Sequence, residues 1–224
     1  MRLSQMLGIE PGVIAVIGGG GKTSLLLRLA AELKAEGRVI LCATAHMRLP
    51  EGMQLTSPNA DEIEAAFASQ NPVCVGVRTA EDKITLDLQH IGLLRSLAAY
   101  VLCEADGSRG LPLKVHAPHE PVVPAEADRV ICVVGIDGIG KSIGESAHRP
   151  ALYAALLSVD QEHIVTPRDA ARVIASENLH DTLFINKVET ERQLSLAREL
   201  AKELGCPVFA GALQQRERKI CLLS

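Results

Sequence analysis

The sequence predicts an α/β fold, a mostly parallel sheet flanked by helices, and three observations carry that reading. Short apolar runs alternate along the chain with longer segments whose apolar residues recur at helical spacing. Aromatic residues make up only 2% of the 224 and there is no Trp, so the core must be built from Leu, Ile, Val and Ala. The first apolar run, Val13 to Ile17, holds no polar residue, as a strand covered on both faces requires.

The elements follow in order. Residues 13–17 read as a buried strand. Residues 23–35 read as a helix, because Leu25, Leu26, Leu29 and Leu33 share one face and Gly37 closes it. Residues 38–43 are the next strand, 61–69 helical, 72–77 strand-like and 87–97 helical. Tyr100 to Cys103 is a short strand ending in Glu104-Ala105-Asp106-Gly107. A stretch holding Pro112, Pro118, Pro121 and Pro124 must be largely irregular or extended. Residues 129–134 form another strand. Thr166-Pro167 is a helix start, a capping side chain before a proline, for a helix reaching about Ser176. Residues 182–185 are a strand, 189–204 an amphipathic helix capped by Gly205, and 207–210 a last strand. No linker divides the chain, so residues 1–224 are expected to form a single domain.

Composition excludes several function classes. A net charge of -4 and the scarcity of aromatic rings argue against a nucleic-acid partner, which rewards basic surfaces and stacking platforms. The opening residues do not read as a secretory signal, and no uncharged stretch approaches the ~20 residues of a membrane span. No membrane association is expected. The six cysteines are scattered without a Cys-x-x-Cys pair, and four lie in strand-like runs where the thiol acts as a small hydrophobe. Reduced core thiols and a cytoplasmic location are the expectation.

Strand, glycines, Lys-Thr, helix is the order that carries chemistry. In Gly18-Gly19-Gly20-Gly21-Lys22-Thr23 the glycines let successive N–H groups turn toward one anion, and the helix that follows adds its positive end. Lys22 can reach the β- and γ-phosphates of a nucleoside triphosphate, and the Thr23 hydroxyl can ligate Mg²⁺. Ser24 follows in the first helical turn. The fold is therefore expected to be P-loop NTPase-like. The usual first glycine of such a loop falls at Val16, so the match is to a compact form of the motif, one whose signature lysine would stand at Ile17. A flexible turn before an ordinary helix is the bland alternative. Gly135-Ile-Asp-Gly-Ile-Gly140-Lys141-Ser142 satisfies the written pattern better, but Gly144 and Pro150 argue that no clean helix starts at Lys141. A loop at the same sheet edge, contacting substrate or phosphates, is the preferred reading.

Glu104 and Asp106 sit where a strand runs out, at the edge where ligands bind in open α/β sheets. Asp106 is assigned to the metal with Thr23, and Glu104 to orienting water; two solvated acids at a turn is the alternative. Asn186-Lys187-Val188-Glu189 resembles the Asn-Lys-x-Asp motif with which GTPases read guanine, with Glu189 one methylene longer than the usual Asp. The base, GTP or ATP, stays open. Thr44 is a candidate sensor of the γ-phosphate. His116-Ala-Pro-His119 has loose metal-ligand spacing without a second ligand pair.

Together these residues resemble the YqeC family, accessory proteins for selenium-dependent molybdenum hydroxylases. The resemblance runs through Gly18–Ser24, the segment from Glu104 to Lys114 with its Leu-Pro-Leu-Lys tail, His119-Glu-Pro-Val-Val-Pro124, Gly135–Lys141, His148-Arg-Pro150 and Asn186-Lys187. It implies a role in delivering or modifying a selenium-containing molybdenum cofactor. The expected protein is a Mg²⁺-dependent NTPase with Lys22, Glu104 and Asp106 as catalytic residues, coupled to maturation of a molybdenum hydroxylase or its pterin or selenium cofactor precursor. The alternatives are a phosphoryl or nucleotidyl transferase on a small cofactor precursor, and a nucleotide-gated binding module without turnover. A homodimer is compatible with such an NTPase, although no exposed apolar stripe argues for one.

Overall fold

The computed structural model describes residues 1–215 and 220–224, and these fall into two compact units. The first holds residues 1–16, 23–107 and 121–130; the second holds 17–22, 108–120 and 131–224.

The first unit carries β1 (Gly12–Gly18, its last two residues in the second unit), α1 (Lys22–Leu33, its first residue in the second unit), β2 (Val39–Ala43), β3 (Leu55–Thr56), α2 (Ala60–Phe67), β4 (Val73–Val75), α3 (Ile91–Leu97) and β5 (Tyr100–Glu104). Its strands run in the order β1-β5-β2-β4-β3, every neighbouring pair parallel. β1, β2, β4 and β5 are buried at every position, as strands covered on both faces must be. Leu25, Leu26, Leu29 and Leu33 of α1 are fully buried. Each such side chain contributes about 1.5–3 kcal/mol of burial free energy. Ile63 of α2 and Ile91 and Leu94 of α3 join Val13, Ile40, Val73 and Val101 in one core. Asn59 caps α2 by accepting from the N–H groups of Asp61 and Glu62.

β5 lies between β1 and β2, with Val16 and Ala43 both opposite Glu104. That register sets Glu104 at the carboxyl end of three parallel strands.

The second unit carries β6 (Ala127–Gly135, entering it at Ile131), α4 (Pro150–Leu157), α5 (Pro167–Glu177), β7 (Thr182–Asn186), α6 (Glu191–Ala201), β8 (Val208–Ala210) and β9 (Cys221–Leu222). β6, β7 and β8 are parallel in that order, and β9 adds antiparallel to β8. Thr166 and Thr190 begin α5 and α6 with capping boxes to Asp169 and Gln193.

Several element boundaries differ from expectation for local reasons. The run 72–77 is two strands: β4 stops at Val75, and Val77–Arg78 pairs antiparallel with Lys83–Thr85. Gly76 makes the break possible, since a Cβ there would stand 2.8 Å from the Thr85 carbonyl oxygen. The helix expected over 87–97 opens with a 3₁₀ turn at Leu88–His90 capped by Asp87. α6 ends at Ala201, short of Gly205. As expected, no long helix starts at Lys141, where only Ile143–Ser146 is helical, and Pro150 occupies the first position of α4, where no N–H is needed. Among the described residues no helix is long and apolar enough to cross a membrane.

Candidate functional site

The glycine loop leaves β1 at Gly18 and is pressed against backbone rather than opened to solvent. The Gly19 N–H donates to the Val133 carbonyl at 2.8 Å and the Gly20 N–H to the Leu111 carbonyl at 3.0 Å. Gly20 has φ +73°, and a Cβ on it would stand 2.3 Å from the Gly135 nitrogen. Gly21 has φ +130°, and a Cβ there would meet Asn186 Nδ2 at 2.3 Å. Only glycine serves at these two positions, for conformation and for space alike. Lys22 is 4% exposed; its ammonium donates to the Gly18 carbonyl at 2.7 Å and to Ser108 Oγ at 3.2 Å. Ser108 lies in the Gly107–Gly110 segment that follows the acidic strand end. It is 86 positions from Lys22, and no local pattern links them.

In the first unit the threonine of the loop finds a carboxylate. Thr23 Oγ1 donates to Glu104 Oε2 at 2.7 Å, and Glu104 is 6% exposed. Asp106, two residues beyond β5, is 1% exposed. Ser24 is half-buried in the first turn of α1. Glu104, expected to orient water, is the carboxylate in contact with the Thr23 hydroxyl. Thr44 is otherwise engaged, its hydroxyl donating to the Val122 carbonyl at 2.6 Å and its N–H to the Glu104 carbonyl at 3.1 Å.

The Asn-Lys-x-Glu motif begins at the end of β7, and its residues take different directions. Asn186 is buried; Nδ2 donates to the Gly20 carbonyl at 2.8 Å and Oδ1 accepts from the Leu213 N–H at 3.1 Å. Lys187 takes φ +64° and its ammonium lies 2.8 Å from Asp137 Oδ2. Glu189 is half-buried, and its N–H donates to Gln193 Oε1 at 2.8 Å. Asp137 belongs to the Gly135–Ser142 segment. That segment makes a 3₁₀ turn at Ile136–Gly138, and Ser142 caps a helix of only four residues, Ile143–Ser146, through Glu145. With no helix of useful length and its hydroxyl committed, the segment is not built as a second phosphate loop. It backs the glycine loop: Gly135 packs on Gly20, and Asp137 holds Lys187.

The histidines of His116-Ala-Pro-His119 part company. His116 Nδ1 lies 2.9 Å from Glu177 Oε2, and its N–H donates to the other Glu177 oxygen at 2.6 Å. His119 Nε2 lies 3.5 Å from Arg149 Nη2. Among the described residues no group of three or more His, Cys, Asp or Glu side chains is placed to hold a metal.

The family profile described as "YqeC protein" matches residues 14–151. A protein of Escherichia coli (strain K12), described as "Uncharacterized protein YqeC", is 32% identical over 182 residues, which is 74% of this chain and 68% of that protein. Among solved structures, the signal recognition particle 54 kDa protein from Aeropyrum pernix K1 in complex with GDP superposes with a TM-score of 0.46 at 12% identity. The match covers 95% of this chain and 44% of that one, so the chain spans less than half the length of that protein.

Proposed function

This chain belongs to the YqeC family, and we propose that it is a Mg²⁺-dependent nucleoside-triphosphate-binding protein that hydrolyses GTP or ATP in the maturation of a selenium-dependent molybdenum hydroxylase or its cofactor. The observation that carries the reading is the Thr23–Glu104 hydrogen bond of 2.7 Å, in the helical turn that begins at Lys22 after a buried strand and four glycines. The Thr23 hydroxyl and the buried carboxylates of Glu104 and Asp106 are hard oxygen donors of the kind Mg²⁺ takes, so the residues present fit the ion. Thr23 and Asp106 would hold it, and it would supply charge neutralisation for the β- and γ-phosphates.

The protein's own groups do the rest. The helix begun at Lys22 offers its positive end to the phosphates. Lys22 exchanges its bond to the Gly18 carbonyl for phosphate oxygens, gaining a charge-assisted partner. Glu104, at the end of β5, keeps the Thr23 hydroxyl oriented and is the acid available to position water. Asn186 acts as a strut for the loop through Gly20, while Lys187 and Glu189 remain the groups to frame the base.

A second reading rests on a separate observation. The Gly20 N–H and the Lys22 ammonium, both donors that a phosphate would claim, are held by Leu111 and Ser108 of one short segment. Nucleotide would have to release the residues from Ser108 to Pro112, which suits a nucleotide-gated binding module.

Calorimetric titration with non-hydrolysable GTP and ATP analogues, with and without Mg²⁺, on the wild type and Lys22→Ala tests the primary reading. Magnesium-dependent binding lost in the variant is the expected result, and the tighter analogue identifies the base. Absence of binding to either analogue by the wild type would overturn it.

A further inference from the structure

The Gly135–Ser142 segment is not built as a phosphate loop, yet it brings a carboxylate to the side of one. β6 and β7 run parallel with Gly135 opposite Asn186, so the segments that follow leave the sheet side by side, both within the second unit. Gly135 packs on Gly20, and the Asn186 amide donates to the Gly20 carbonyl at 2.8 Å, which sets both turns beside the glycine loop. One residue beyond Asn186 and two beyond Gly135, the Lys187 ammonium and Asp137 Oδ2 meet at 2.8 Å. Ligands of open α/β sheets lie along such carboxyl ends.

The pair differs from an ordinary surface tie in three ways. Lys187 takes φ +64°, a left-handed conformation that favours glycine, and such strain persists where a side chain must be aimed. Both side chains stay open to a ligand, Lys187 at 40% and Asp137 at 33% exposure. The other carboxylate oxygen, Asp137 Oδ1, is buried and accepts no hydrogen bond among the described residues. An acceptor left in that state is costly, and a ligand N–H would relieve it. A small rotation about χ2, a broad torsion for Asp, turns it toward such a donor.

We propose, building on the nucleotide reading above, that Asp137 and Lys187 read the base and that the base is guanine. Asn186 does not compete for it, since its amide is committed to Gly20 and Leu213. An ammonium has donors to spare and a carboxylate more lone pairs than one partner uses, so the pair engages a ligand without breaking. Along its edge the pair presents the ammonium, then Oδ2, then Oδ1. Guanine presents O6, N1–H and the 2-amino group in the same order, an acceptor for the ammonium and two donors for the carboxylate. Adenine carries an amine and the N1 lone pair and nothing that donates at C2, so one carboxylate oxygen stays unpaired. A site built to accept an N–H rejects the analogue that lacks it. Asp137 thereby supplies the carboxylate that the Asn-Lys-x-Glu motif places at Glu189.

The test is calorimetric titration in Mg²⁺ with non-hydrolysable triphosphate analogues of guanosine, inosine, adenosine and xanthosine. Wild type is expected to bind the guanosine analogue at least tenfold more tightly than the adenosine one, with inosine, which lacks the 2-amino group, in between. Asp137→Asn should lose at least tenfold for guanosine and take xanthosine in preference, with the far-ultraviolet circular dichroism unchanged. Its amide oxygen still accepts from N1–H, while its amine donates to the 2-oxo group of xanthine. A merely structural Asp137 would instead weaken all four nucleotides alike, and that result overturns the proposal. So does a wild type that prefers adenosine or ignores the 2-amino group, a measurement that needs no variant. So does a switch to xanthosine produced by Glu189→Gln in place of Asp137→Asn. In each of these cases the nucleotide reading itself survives; only a wild type that binds none of the four removes both.

Discussion

Asn186 holds Gly20: the side-chain amide donates to the loop carbonyl at 2.8 Å while its oxygen accepts from the Leu213 N–H at 3.1 Å. A residue whose sequence context suggests base recognition therefore braces the glycine loop from the end of β7. Asn186→Ala leaves a buried N–H and a buried carbonyl without partners, which costs about 1–3 kcal/mol. Asn186→Asp keeps the shape but cannot donate to Gly20, and is expected to be at least as damaging. Urea unfolding of both variants checks this, and two near-neutral results would remove the strut.

Gly20 and Gly110 share a left-handed backbone, φ +73° and +78°, but differ in surroundings. A Cβ at Gly20 would be 2.3 Å from the Gly135 nitrogen, whereas among the described residues a Cβ at Gly110 would stand in open space. Gly110→Ala should lose about 1 kcal/mol from conformation alone. Gly20→Ala should lose more than about 3 kcal/mol, because backbone must also move. Thermal melts of the two proteins measure the difference, which isolates the steric part.

Thr23→Val keeps the shape of the side chain and removes the hydroxyl that meets Glu104. Under the proposed function, analogue binding in Mg²⁺ should fall at least tenfold while binding in EDTA stays near the wild-type value. An equal loss in both conditions would assign Thr23 a packing role.

Glu120 supplies an acid-sensitive part of the stability. Burial pushes its carboxyl up, but hydrogen bonds and charge from Arg149 and Lys114 outweigh burial and hold it at about 2. A folded pKa below the unfolded one, about 4.3, stabilises the fold at higher pH. That contribution is lost as pH falls from about 4.5 toward about 2. In urea melts across this window, Glu120→Gln should show a shallower decline than wild type. Parallel curves would mean that the ion pairs contribute nothing measurable.

None of the six cysteines is in a disulfide; Cys42, Cys74, Cys103 and Cys132 are buried, and Cys206 and Cys221 are half-buried. Burial raises the Cys74 thiol to about 12, which leaves almost no thiolate at neutral pH. A thiol-reactive chromogen should titrate no more than two groups quickly in the native protein and six in denaturant. Fast reaction of four or more would contradict the buried placement.

The alternation of elements was legible because it is local. A run such as Val13–Ile17 can be satisfied only inside a sheet, and Leu25, Leu26, Leu29 and Leu33 fit only one face of a helix. Capping residues Thr166 and Thr190 and the glycines of the loop act within a few positions of themselves. Two kinds of fact were not legible. Pro150 starts a helix of its own, a choice that depends on the residues after it. Above all, partners lie far apart in the chain: Lys22 with Ser108, Thr23 with Glu104, Asn186 with Gly20, and Arg149 with Glu120. The sequence by itself determined which segments become strands and helices and which residue types could do chemistry. Only the tertiary structure decided which of those residues meet, because hydrogen-bond and ion-pair geometry is set by strand order and register, and neither is written in local periodicity.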